Sequence, residues 1–260
     1  MKKLFGLFNI FDITLWTVSV VTIALSFGLS PSRDYLTLVS SITGVTALLF
    51  IVKGHVLGQF LTVAFAVVYG VVSYFFRYYG EIITYLGMSA PAAIMCIISW
   101  LRHPYKKRTQ VEISKLTGKK AIALPFCTAA VTAAFYFILR ELGTAKLAVS
   151  TVSVATSFFA AYLTFFRSPL YGLAYACNDV VLIAMWILAA VADIAYVPMI
   201  ICFALFLVYD VYGFINWSRM RKNQTAEKEN VADRGDGVDT DASASAEADA
   251  TTHASNADRD

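Results

Sequence analysis

The chain has 260 residues, 58% of them hydrophobic and 15% charged, whereas a soluble globular domain carries about a quarter charged residues. Water is therefore not its main solvent. Its net charge of +3 conceals a split, because Gln224 to Asp260 holds ten acidic and three basic residues and leaves everything upstream basic. The absence of a P-loop, of HExxH and of GxSxG argues against an ATP-driven pump in this chain alone and against an enzyme.

Stretches able to cross a hydrocarbon core of about 30 Å, which takes about 20 helical residues, begin at the N-terminus. The first runs from 10 to 28. It follows Met1-Lys2-Lys3 as a secretory signal would, but no small-residue cleavage site follows Ser26, which predicts a retained helix. Further spans are predicted at 35 to 52, 56 to 76, 81 to 101, 121 to 140, 146 to 166, 170 to 191 and 195 to 217. The expected fold is an all-α polytopic membrane protein of eight transmembrane helices, since barrel strands would be shorter and alternate in polarity.

In the third span Gln59, Thr62, Tyr69 and Ser73 form one polar stripe. The basic segment 101 to 120 (LRHPYKKRTQVEISKLTGKK) is expected to hold topology and touch anionic lipid, and nucleic acid is not an expected partner. The seventh span carries Asp179 near its middle, where a carboxylate costs about 2.5 to 3.5 kcal/mol on insertion scales and usually faces the bundle interior. Tyr171, Tyr175 and Asn178 share one face there, and Trp186 lies two turns beyond Asp179. In the last span Tyr209, Tyr212 and Asn216 share a face, and Asp210 lies with Trp217 on another, placed either to pair with Arg219 or to meet water. These three spans are expected to line one cavity. Ser73, Thr62 and Trp217 suit blander roles: hydroxyl bonds to their own helix and interface anchoring. Prolines 91, 125 and 198 are expected to kink their helices. The four cysteines (Cys96, Cys127, Cys177, Cys202) sit in apolar runs with no metal-ligand spacing and read as buried thiols; no metal or cofactor is expected. Residues 223 to 260, with no large apolar residue beyond valine, are expected to adopt no fold.

Lys and Arg accumulate in cytoplasmic loops. With the N-terminus inside, fourteen of those upstream of the tail fall inside and four, Arg33, Arg77, Arg140 and Lys146, outside. Both termini are thus expected in the cytoplasm. The fourth span ends in Ile98-Ser99-Trp100-Leu101-Arg102 and the eighth in Ile215-Asn216-Trp217-Ser218-Arg219, each closing a set of three helices. With the fifth helix between them the two sets would be parallel repeats, with a substrate site between them near the midplane. The resulting division is an extra helix (1 to 34), a first repeat (35 to 101), a basic loop and linker helix (102 to 145), a second repeat (146 to 222) and the acidic tail (223 to 260).

Gly58 through Trp100, with Tyr78-Tyr79-Gly80-Glu81, and Ser168 through Trp217, with Tyr175-Ala176-Cys177-Asn178-Asp179 and Tyr212-Gly213-Phe214-Ile215-Asn216-Trp217, resemble the PnuC-type nicotinamide riboside transporters, relatives of the SWEET sugar transporters. The resemblance implies a three-plus-one-plus-three core with an additional first helix, a homotrimer in a bacterial cytoplasmic membrane, and facilitated diffusion of a vitamin precursor trapped by phosphorylation. Members handling nicotinamide riboside tend to carry Trp-x-x-Trp-x-x-x-Asn at the start of the seventh span, where this chain reads Tyr171, Ala174 and Asn178. Riboflavin, thiamine and nucleosides stay open as substrates, as do proton coupling through Asp179 and a scaffold or receptor that transports nothing. The expected site has Tyr171, Tyr175 and Trp186 against a ring, Asn178, Gln59 and Asn216 bonding ring or ribose, Asp179 orienting them or meeting a pyridinium, and Tyr69 and Tyr209 in the wall.

Overall fold

The structure, a computed structural model, describes residues 7–30, 35–75, 79–105, 110–144 and 147–256, excepting the side chains of 72–75, 79–81 and 232–256. Lys2, Lys3, Arg33, Arg77, Tyr78, Lys106, Lys107, Arg108 and Lys146, and the side chain of Ser73, lie outside the described residues. The chain forms α1 (Ile10–Leu29), α2 (Tyr35–Val52), α3 (Leu57–Phe75), α4 (Tyr79–Thr84), a π-helical turn (Tyr85–Ser89), α5 (Ala90–Arg102), α6 (Lys119–Glu141), α7 (Leu147–Phe165), α8 (Tyr171–Ala190), a 3-10 turn (Ile194–Tyr196) and α9 (Val197–Asn256). Seven helices among the described residues are long and apolar enough to cross a membrane, and Leu57–Val71 is a shorter apolar helix at the third predicted span.

Apolar side chains face outward as well as inward, as a bilayer solvent requires. Phe126 on α6 is 72% exposed and Leu25 on α1 60%. Cys127 and Cys177 are exposed on these outer faces, a correction to the expectation that all four thiols are buried; an apolar run is satisfied by lipid as readily as by a core. The prolines act differently from one another. Pro91 opens α5 directly after the π turn, where Ala90 N–H reaches back five residues to Tyr85 O, while Pro125 lies inside α6 and Pro198 in the first turn of α9. The wide turn accommodates a residue that cannot donate to the helix ladder.

One end of the bundle is built twice from the same parts. After α2, Gly54 (φ 65°) donates to Ile51 O at 2.8 Å and His55 to Phe50 O at 3.0 Å; after α7, Arg167 (φ 57°) donates to Thr164 O at 3.0 Å and Ser168 to Leu163 O at 2.9 Å. Both are left-handed helix stops, the first using glycine and the second placing arginine where an L side chain costs roughly 1 to 2 kcal/mol. The last carbonyls of each helix are taken up by side chains from elsewhere. Asn216 Nδ2 donates to Val52 O (2.7 Å) and Trp217 Nε1 to Ile51 O (2.9 Å), while Ser99 Oγ donates to Phe165 O (2.8 Å) and Trp100 Nε1 to Thr164 O (3.1 Å). The segment after α5 then lies across both stops: Val111 N–H donates to Gly54 O at 2.9 Å and Ser114 N–H to Arg167 O at 3.0 Å, with Val111 and Ile113 buried. One expectation is corrected here: Trp217 is fully buried, so it caps a helix instead of anchoring at an interface. In the basic segment Val111 and Ile113 are seated on protein while Arg102, Lys115, Lys119 and Lys120 are exposed.

Helix α1 is fastened by a buried ion pair. Asp12, fully buried, accepts from Lys53 Nζ at 2.6 Å, from Tyr212 Oη at 2.7 Å and from Asn9 N–H at 2.6 Å, and Trp16 Nε1 donates to Thr46 Oγ1 at 3.1 Å. Arg219–Asp260 forms a unit of its own, in which the helix continues to Asn256. That differs from the fold-free tail expected from composition; the segment is rich in alanine, the strongest intrinsic helix former.

Candidate binding site

The polar stripes of α3 and α8 meet the last helix around one cavity of about 700 Å³, a size in the range of small-molecule sites. Gln59, Tyr69, Tyr171, Tyr175, Asn178, Asp179 and Trp186 all line it, as the sequence leads one to expect. Tyr209 and Asn216 do not. Tyr209 is fully buried on the side of α9 that faces Ser19 of α1, and Asn216 is spent on the α2 carboxyl end. Residues sharing a helical face line a common wall only if that face is turned to the cavity, and helix spacing does not say which face that is. Thr62 lines the cavity while its hydroxyl donates to Gly58 O at 3.0 Å, so both of its readings hold.

Aromatic rings form much of the wall. Tyr69 and Tyr85 are 4.5 Å apart between centroids with Phe65 beside both, and Trp186 lies nearly parallel to Phe203 at 6.5 Å. Tyr85 reaches the cavity from the π turn, which no sequence period announces. At the end nearest the doubled helix stops, the lining includes Tyr171, whose ring packs 4.3 Å from Trp217, itself 5.4 Å from Trp100.

Polar side chains come from every part of the wall, among them Gln59, Thr62, Ser153, Ser157, Asn178 and Asp179. Asn178 Oδ1 accepts from Thr156 Oγ1 at 2.8 Å and Ser157 Oγ at 2.9 Å, both on α7. The side-chain carbonyl is thus occupied, and the amide N–H groups remain as donors. Tyr171 Oη and Trp186 Nε1 are buried with no hydrogen-bond partner among the described residues, and Asp179 Oδ2 receives no bond from a described donor. Buried polar groups are normally satisfied; these three, with Thr144 Oγ1, belong to residues of the cavity lining. Asp210, weighed in the sequence between Arg219 and water, is instead 3% exposed, lines the cavity, and has its carboxyl within hydrogen-bonding reach of that of Asp179. Sequence reading missed Tyr85, Thr156 and Ser157; Ser150, Ser153, Ser157 and Thr164 line the cavity at steps of three, four and seven, a polar stripe on α7 that helical spacing could have found. Among the described residues no group of His, Cys, Asp and Glu is arranged to hold a metal ion.

An all-helical bundle with a central cavity lined by aromatic and polar side chains defines a membrane protein built around a small organic molecule. The family model described as nicotinamide mononucleotide transporter matches residues 34–219, and the chain belongs to that family. A nicotinamide riboside transporter PnuC from Neisseria mucosa is 24% identical over 232 residues, covering 87% of this chain and 88% of its own length. The crystal structure of the vitamin B3 transporter PnuC superimposes with a TM-score of 0.71 at 22% identity, over 84% of this chain and 94% of that one, which establishes the shared fold.

Proposed function

We propose that this protein carries nicotinamide riboside across a bacterial cytoplasmic membrane by facilitated diffusion, binding it in the cavity between α3, α5, α7, α8 and α9. The observation that carries the reading is the convergence of Asn178, Asp179, Tyr171 and Trp186 on one cavity in a member of this family. The ring packs against Trp186, Tyr175 and Tyr171, the Asn178 amide donates to the carboxamide oxygen, and Gln59 bonds the ribose. The name of the Neisseria relative supports this choice of substrate.

The doubled helix stops support two parallel three-helix repeats, α2 to α5 and α7 to the membrane part of α9, with α6 as the linker between them. The eight apolar helices then all cross the bilayer, with both termini in the cytoplasm, and the resemblance extends the assembly to a homotrimer. Thermal unfolding of the purified protein against nicotinamide riboside, thiamine, riboflavin and nucleosides tests the substrate. A ligand at one hundred times its Kd stabilises the folded state by about 2.7 kcal/mol. Nicotinamide riboside alone is expected to shift the midpoint, and Asn178→Ala to abolish the shift while leaving the unliganded midpoint near that of the parent. A shift with another of these compounds replaces the substrate, and silence from all of them removes the carrier reading.

A further inference from the structure

We propose that Asp179 and Asp210 form a proton-sharing carboxyl pair that recognises the positive charge of a flat aromatic cation and releases its proton as the cation enters the cavity. The inference rests on the reading of the cavity as a pyridinium nucleoside site and deepens it. The two residues come from different helices. Gly172, two turns before Asp179, lets α8 approach the backbone of α9 so closely that a Cβ there would collide with Asp210 O and Phe214 N. Each residue is 3% exposed, and the two carboxyls are within hydrogen-bonding reach.

An ionised carboxylate only accepts hydrogen bonds, so two carboxyls in such contact are held together by a proton on one of them. No Lys, Arg or His stands among the described residues lining the cavity to neutralise a second negative charge. The titratable groups that face the pair are Tyr171 and Tyr175 from α8 and Cys202 from α9, with Cys96 of α5 facing Tyr175, and every one of them is neutral or negative. Lys53 is committed to Asp12. The site therefore holds negative charge with no resident cation. It also has aromatic walls, whose faces attract a positive ring.

Entry of a pyridinium ring changes the balance between the two acids. Its field stabilises the second carboxylate, and the proton shared by Asp179 and Asp210 leaves for water: the carboxylic acid, the carboxylate and the cation become two carboxylates, the cation and one free proton, with charge conserved. Asp179 lines the cavity and is the acid that meets the ring.

Calorimetric titration of the full chain with nicotinamide riboside, repeated in buffers of different ionisation enthalpy, counts the protons released. Release of up to about one proton per bound ligand is expected, with affinity rising up to about tenfold per pH unit. In Asp210→Asn the partner of Asp179 has no proton to release, so binding is expected to become insensitive to buffer and pH; should that variant not fold, the parent's buffer dependence decides alone. The reduced, uncharged dihydronicotinamide riboside is expected to bind more weakly and to release none. Buffer-independent heats for nicotinamide riboside in the parent overturn the proposal. If nicotinamide riboside does not bind at all, the substrate reading fails separately, and the pair is then judged with thiamine, a flat cation of another class: proton release on its binding upholds the pair as a cation site, and none overturns it.

Discussion

The site is tuned at single residues by neighbours that leave no slack. Asn178 has its carbonyl oxygen held by two hydroxyls of α7, so what it offers a guest is a donor. Gly213 has the opposite duty, which is to be absent. A Cβ there would run into the Tyr171 hydroxyl and approach the ring carbon that bears it at 3.2 Å. Tyr171 is 1% exposed and pinned by Trp217 on its other side, so it cannot retreat. Gly213→Ala is accordingly expected to lower stability by about 1 to 3 kcal/mol, the usual cost of overpacking, and Tyr171→Phe in the same chain to restore part of it by removing the colliding oxygen. Thermal unfolding in detergent measures both; a Gly213→Ala protein as stable as the parent, or a double variant worse than the single one, contradicts this packing.

At the scale of elements, α1 braces the bundle without forming the cavity, whose lining begins at Gly44. The brace is the buried Asp12 with Lys53 and Tyr212, joining α1 to the turn after α2 and to α9. Removing one member of a buried ion pair strands the other and typically costs about 3 to 5 kcal/mol, while replacing both with apolar groups is far milder. Lys53→Met is expected to fall in that range and Lys53→Met with Asp12→Leu to recover most of it. Substrate binding should survive in the double variant, because neither residue reaches the cavity. Equal stability of the two variants would mean that the pair carries no coupling. Nothing in the sequence marks this pair, since Asp12 and Lys53 sit at opposite ends of the two spans they terminate and only the fold brings them together. The elements themselves were legible, because runs of about 20 apolar residues have one stable form in a bilayer. The stripes on α3 and α8 were legible for the same reason, by helical spacing. Which face of α9 turns to the cavity was not: Tyr209 and Asn216 look as eligible as Asp210, and only the packing against α1 and α2 separates them.

For the whole molecule, the arrangement of charge determines how the bundle stands in its membrane. The doubled helix stops, the strap across them and the Asp12–Lys53 brace lie at the end that the lysine and arginine distribution assigns to the cytoplasm, while Gly143, Thr144 and Ala192 line the cavity toward the other end. Positive loops stay on the cytoplasmic side during insertion, and fourteen residues against four leave little competition between the two orientations. In a variant whose four native cysteines are replaced, a single cysteine at Glu141 is therefore expected to react with a membrane-impermeant maleimide on intact cells, and one at Lys115 only after the membrane is opened. The reverse pattern would place the tryptophan-capped end outside and the end lined by Gly143, Thr144 and Ala192 toward the cytoplasm.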